Sequence, residues 1–234
     1  MTIHFGDGTS ISGAEGSNMT ASAGVTQQII RKYTSNATYT PASNVKYIQV
    51  HCIGGGGGGS SGTRLQGDEN TDSRGFGGAG SGAYAIGTYT MTGTNFSGSI
   101  VVGGGGEGGQ QHDSQFRAGS DGGDSKFQPS GSYSGTEGQL IGERGEGCAA
   151  GTQFTGEGGE TQGGTQFVSF AGEDGEARQG SGGEHLESYP GRGGYSPLSG
   201  SRTYGAGANG GSGAEEFNGA DGEAGVVFIY EYRA

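Results

Sequence analysis

The stretch Lys46-Tyr47-Ile48-Gln49-Val50-His51-Cys52-Ile53 runs straight into six glycines, Gly54 to Gly59. Ile48, Val50 and Cys52 alternate with Tyr47, Gln49 and His51, which is the two-residue period of a half-buried strand and places Cys52 in the core. The glycine tract that follows has no side chains to pack, and it loses more conformational freedom on ordering than any other sequence. A strand ending in such a tract implies that the tract's backbone is held by hydrogen bonds to other backbones. The same grammar recurs where Ser99-Ile100-Val101-Val102 meets Gly103 to Gly106.

Working outward, β-formers gather between Gln28 and Ile53 and again from Ala83 to Met91, and the chain closes on Gly225 to Tyr232, where Val226, Phe228 and Tyr230 alternate with Val227, Ile229 and Glu231. Each reads as a strand. Between Gly103 and Gly225 lie only short β-like islands, at Ser125 to Phe127, Gln139 to Ile141 and Thr165 to Phe170. Around them, Gly-Thr-Gln-Phe occurs at 151–154 and 164–167, and glycine-flanked glutamates recur at Glu146, Glu157, Glu160 and Glu184. Glycine at every third position lets extended segments with three residues per turn approach closely, as at the collagen axis. The expected fold is therefore all-β: a small antiparallel β-sheet or sandwich with glycine-rich extended, polyglycine II-like segments and almost no helix. Irregular surface loops are the alternative for the glycine-rich region.

Near the N-terminus, Ile3 and Phe5 precede Asp7-Gly8 and Ile11 follows it, a hairpin signal; the small-residue stretch Gly13 to Gly24 then reads as a linker. The expected organisation is an arm and linker over 1–30, serving attachment or oligomerisation, and a glycine-rich β module over 31–234.

Glycine supplies 59 of the 234 residues, while Leu, Ile, Val and Phe together make about 14%, too little for an ordinary globular core. Four prolines and no strict triplet register exclude collagen. A net charge of −12 repels phosphate backbones, so nucleic-acid binding is not expected. The longest apolar run, Val226 to Tyr230, is far short of the ~20 residues that span a bilayer, and neither a signal peptide nor membrane insertion is expected. Cys52 and Cys148 are too few for a disulfide framework or a zinc site; two reduced thiols are the favoured reading, with a bridge left open.

Several motifs invite a chemical reading. Gly54, Gly56 and Gly59 fit a dinucleotide fingerprint, and Gly58 to Gly62 fits a nucleophile elbow, but each needs a helix that the following residues do not encode. Asp121-Gly122-Gly123-Asp124 and the group Asp68, Glu69, Asn70 and Asp72 match no complete calcium loop and read as solvated turns. Glycine flanks give the glutamates no desolvating wall for acid–base work. No enzymatic activity, catalytic residue, cofactor or metal is expected.

The opening Ile3-His4-Phe5-Gly6-Asp7-Gly8-Thr9-Ser10-Ile11-Ser12-Gly13 resembles the start of many small virion proteins of marine tailed phages, cyanophages especially. The block from Tyr33 to Gly59, with Thr38-Tyr39-Thr40-Pro41 and an alternating strand entering polyglycine, is similar to a glycine-rich module of phage tail-fibre and other virion proteins. Gly225 to Tyr232 resembles that module's closing strand. The resemblance implies a virion protein assembled in the host cytoplasm, most readily a tail-fibre or adhesin component in host attachment, with a capsid decoration or head-fibre protein as the alternative. It also implies other virion proteins as partners and self-association, as a trimer by likeness to phage fibres. An ice-binding glycine-rich protein is the alternative of another class.

Exposed rings among polar neighbours suit host polysaccharide or outer-membrane protein, and guanidinium groups suit anionic sugars. Candidate receptor-binding residues are Tyr189, Arg192, Tyr195, Arg202 and Tyr204; Phe154 and Phe167 read better as buried pins. Ile3, Phe5 and Ile11 are the candidates for virion attachment, and Ile29 and Ile30 likewise lack an obvious core.

Overall fold

The computed structural model describes residues 2–4, 10–12, 20–21, 27–61, 63–64, 73–74, 77–110, 117–149, 155–160, 167–176, 192–197, 204–209 and 218–234. In chain order its strands are β1 (Thr2–His4), β2 (Ser10–Ser12), β3 (Thr20–Ala21), β4 (Gln27–Tyr33), β5 (Ala37–Tyr39), β6 (Val45–Ile53), β7 (Thr63–Arg64) and β8 (Ser73–Arg74). They continue as β9 (Tyr84–Met91), β10 (Ser97–Val101), β11 (Ser125–Ser130), β12 (Tyr133–Gly135), β13 (Leu140–Gly142), β14 (Phe167–Phe170) and β15 (Val226–Arg233). No helix occurs among the described residues, and every strand pairing is antiparallel. The fold is all-β.

Two sheets form a sandwich. The larger has the order β12-β9-β6-β15-β4 with β14 also on β9, and the smaller has the order β13-β11-β10-β5. The alternation in β6 does what its sequence dictates: Ile48, Val50 and Cys52 are fully buried against Ile100, Phe127 and Leu140 of the smaller sheet, while Tyr47, Gln49 and His51 face outward. With few aliphatic residues available, rings fill this core. Tyr89 and Phe127 meet at 5.2 Å between centroids, and Phe96 packs at 6.5 Å from Phe127. Gly98 makes room for Phe127, because a Cβ there would lie 2.2 Å from its ring.

At the core's edge Glu231 is fully buried and accepts hydrogen bonds from Arg31 and from Arg233 Nε at 3.1 Å. Burial alone would raise the Glu231 carboxyl, but these bonds from Arg31 and Arg233 hold it below the ordinary value.

The glycine-rich chain leaves the sandwich as ten extended segments: I (54–61), II (77–83), III (103–110), IV (117–124), V (143–149), VI (155–160), VII (171–176), VIII (192–197), IX (204–209) and X (218–225). Segment I shows why the tract is polyglycine. Gly54 and Gly57 donate to segment II, Gly55 and Gly58 to segment IV, and Gly56 and Gly59 to segment X. Each third residue returns to the same neighbour, so the segment is a threefold extended helix. Its carbonyls in turn accept from Gly106 and Gly109 of III, Gly145 and Cys148 of V and Ala208 of IX. Six neighbours surround it, and a Cβ at Gly56, Gly57 or Gly58 would lie 2.0, 2.0 or 2.1 Å from a neighbour's carbonyl oxygen.

Segment II is enclosed in the same way, donating in rotation to VII, IX and V and accepting from I, VI and VIII. The other eight segments ring this central pair in chain order, closing where Gly222 of X donates to Gly106 of III. Consecutive segments alternate in direction, and every link except that from II to III joins neighbours.

The Gly103 to Gly225 region is a laterally bonded bundle rather than a set of irregular loops. The N-terminal hairpin forms with Ile3 opposite Ile11. Within the expected linker, however, Thr20 and Ala21 pair with Ser12 and Ile11 as a third strand, since small residues still carry ladder hydrogen bonds. Cys52 and Cys148 are both buried free thiols.

Candidate functional site

The bundle has two poles. One meets the sandwich, where segments pass into β9, β11 and β15. At the other, the chain leaves and returns five times: between 61 and 77, 110 and 117, 149 and 155, 176 and 192, and 209 and 218. Of these connections the antiparallel pair β7–β8 is described, with Thr63 opposite Arg74. A shallow groove of about 440 Å³ at this free pole lies between segments III and IV, lined by Glu107, Gln110, Arg117 and Ser120 among others.

On the flanks, a peripheral segment turns one residue in three away from its neighbours, leaving backbone N–H groups without a lattice partner. Short side chains on the adjacent segment fill that need. Asp121 accepts from Gly147 N–H at 3.0 Å, Asp124 from Arg144 N–H at 3.0 Å, Asp174 from Gly158 N–H at 2.8 Å and Asp221 from Gly108 N–H at 2.7 Å. Asn209 does the same for Gly193 at 3.0 Å. The Asp121 to Asp124 group is thus a pair of clamps on segment V rather than a solvated turn. Sequence reasoning missed this role; the recurrent pairing of Asp or Asn with glycine was its signal, but the partner lies on another segment.

The rest of the solvent rows is strongly acidic, with exposed Glu107, Glu146, Glu157, Glu160, Glu173 and Glu176. A flat array of one uncharged side-chain type, which an ice-binding surface would present, is not what these rows offer.

The candidate receptor residues separate. Arg192 and Tyr195 come together on segment VIII, one turn apart, with the guanidinium 5.3 Å from the ring centroid and hydrogen-bonded to the phenol oxygen. Glu173 fixes this turn by accepting the Tyr195 N–H at 2.7 Å. Arg192 is exposed where the chain returns from the free pole. Tyr204 stands instead at the sandwich end of segment IX, edge-on to Phe228 at 6.4 Å and beneath Lys32. Tyr189, Arg202, Phe154 and Phe5 lie outside the described residues, as do the side chains of Ile3, Ile11 and Phe167.

A family model described as a glycine-rich domain matches residues 32–232. The chain belongs to this glycine-rich domain family. The match runs from β4 to the last strand, so in this glycine-rich domain the family's extent takes in both the sandwich and the ten-segment bundle. No curated protein matches the chain.

Proposed function

We propose that this glycine-rich domain protein is a virion structural protein of a tailed phage, a tail-fibre or adhesin component that meets the host surface through the free pole of its bundle. The observation that carries the reading is the placement of five chain connections at one end of a rigid, laterally bonded scaffold. That arrangement lets sequence vary at a tip without disturbing what holds the tip in place. The sequence of each connection holds one aromatic residue: Phe76, Phe116, Phe154, Tyr189 and Phe217. Rings supply contact area to sugars or outer-membrane loops at small entropic cost. Arg192, beside this pole, adds a group suited to anionic sugars. The N-terminal resemblance to phage virion proteins supports the same reading, with other virion proteins and further copies of the chain as partners.

Adsorption of particles carrying alanine at Tyr189, Arg192 and Tyr195 tests it. The expected result is weakened adsorption with normal particle assembly. Unchanged adsorption by correctly assembled particles rejects the site, and labelling that places the chain on the head rather than the tail replaces the adhesin with a decoration protein.

A further inference from the structure

The larger sheet has a second face that the sandwich does not use. Along β14, β9, β6, β15 and β4, strand register brings outward residues into rows, one running Val168, Ile86, His51, Phe228 and Lys32. The next row holds Thr88, Gln49, Tyr230 and Ile30, and the outermost Tyr47 stacks on Tyr232 at 4.3 Å. Ile30, Val168 and Phe170 are 58%, 55% and 48% exposed. Lys32 is the single Lys, Arg, Asp or Glu on this face among the described residues of these five strands, in a chain of net charge −12. Depletion of charge with enrichment of rings marks the core of a protein interface.

Several polar groups of the face satisfy one another. The two ring nitrogens of His51 contact Tyr84 Oη at 2.5 Å and Gln49 Oε1 at 3.1 Å, Gln28 Nε2 donates to Tyr232 Oη at 3.1 Å, and Lys32 donates to Tyr204 Oη. Burying the face therefore leaves one charge to accommodate, the Lys32 ammonium on the edge strand β4. Mutual stacking of Tyr47 and Tyr232 also turns their ring faces on each other rather than upward, which disfavours a sugar platform. Five strands about 4.8 Å apart and the three open rows about 6.7 Å apart, with ~4 Å of side chain on each edge, make a patch of roughly 600 Å². Two such patches bury roughly 1,200 Å² in total, the lower end of the range for specific, stable interfaces.

We propose that this face is a self-association surface on which the same face of a second copy docks, giving a twofold dimer. A second copy supplies a ring-rich patch of matching size that carries a single charge, Lys32, on its edge strand. The flanks of the bundle bear exposed carboxylates, so two such chains approach through this face with less like-charge repulsion than through those flanks. One self-complementary face closes at two copies rather than at the three implied by resemblance to fibres.

Sedimentation of the full chain over a concentration series tests the proposal, comparing the natural chain with an Ile30→Glu, Val168→Glu double variant and with Phe170→Ser. Val101→Glu, at the exposed Val101 of the smaller sheet, is the control. The expected result is a dimer whose dissociation constant rises at least about 100-fold in the double variant and measurably in Phe170→Ser. The control keeps the natural value, and unchanged thermal melting shows all variants folded. A natural chain that is monomeric up to about 100 μM, a trimer, or a dimer indifferent to the double variant overturns it.

Discussion

The Gly57 N–H donates to the Gly80 carbonyl oxygen at 2.9 Å, joining the two central segments of the bundle. The bond requires the backbones to run almost in contact, and a Cβ at Gly57 would lie 2.0 Å from the Glu146 carbonyl oxygen on a third segment.

Gly57→Ala is accordingly expected to destabilise the protein by about 3 kcal/mol or more, since a clash with backbone cannot relax by rotamer change. Gly104→Ala is the comparison, because a Cβ there meets nothing within 4 Å; it should be neutral or stabilise by about 0.5 kcal/mol through the unfolded chain. Denaturant midpoints measure both.

Tyr89 is fully buried and its hydroxyl has no hydrogen-bond partner among the described residues. Tyr89→Phe keeps the ring contacts with Phe96, Phe127 and Tyr133 and removes an unpaired polar atom. A gain of about 1 kcal/mol is expected, read as a higher melting temperature; a loss of that size would mean the hydroxyl is satisfied in solution.

Glu231 predicts a pH dependence. Its folded-state pKa lies below the ordinary 4.5, so the folded state favours the carboxylate. The resulting stability is present above about pH 4.5 and is lost as pH falls through the folded value. Glu231→Gln should cost about 2 kcal/mol at pH 7 and flatten this acid limb of the stability curve. Urea midpoints between pH 3 and 7 provide the test.

His51 acts at higher pH. Burial lowers its pKa from 6.5, so below 6.5 the unfolded chain takes up a proton that the folded chain resists. Stability should therefore fall as pH drops from 6.5 to the folded value and level off beneath it. His51→Gln should remove that step while leaving the Glu231 step in place.

The flank clamps predict a graded effect. Asp174→Ala strips the acceptor from the Gly158 N–H and should cost about 1 kcal/mol, whereas alanine at exposed Glu157 next to it should stay within about 0.5 kcal/mol. Hydrogen exchange should speed at Gly158 in the first variant.

Much of the sandwich was legible because a strand's two faces follow from alternation within one segment. Lys46 to Ile53, read as a strand with Ile48, Val50 and Cys52 inward, is β6 with those residues buried. The passage from strand to glycine tract also required backbone-to-backbone packing, since a tract without side chains has no other means of being held. Sequence could not reveal that 54–61 and 77–83 form the enclosed pair while eight other segments ring them. Each lateral hydrogen bond joins residues far apart in the chain, and glycine carries no mark of which neighbour it faces. Residues such as Asp121, Asp174 and Asn209 looked like turn formers because the N–H groups they bind belong to other segments. The separation of Tyr204 from Arg192 was hidden for the same reason: segments VIII and IX run in opposite directions, so chain proximity says nothing about which pole a residue occupies. Local pattern determined the elements and the direction each strand's side chains take. Tertiary structure alone decided which backbones meet, because the hexagonal order of the bundle is set by contacts between segments rather than by preferences within them.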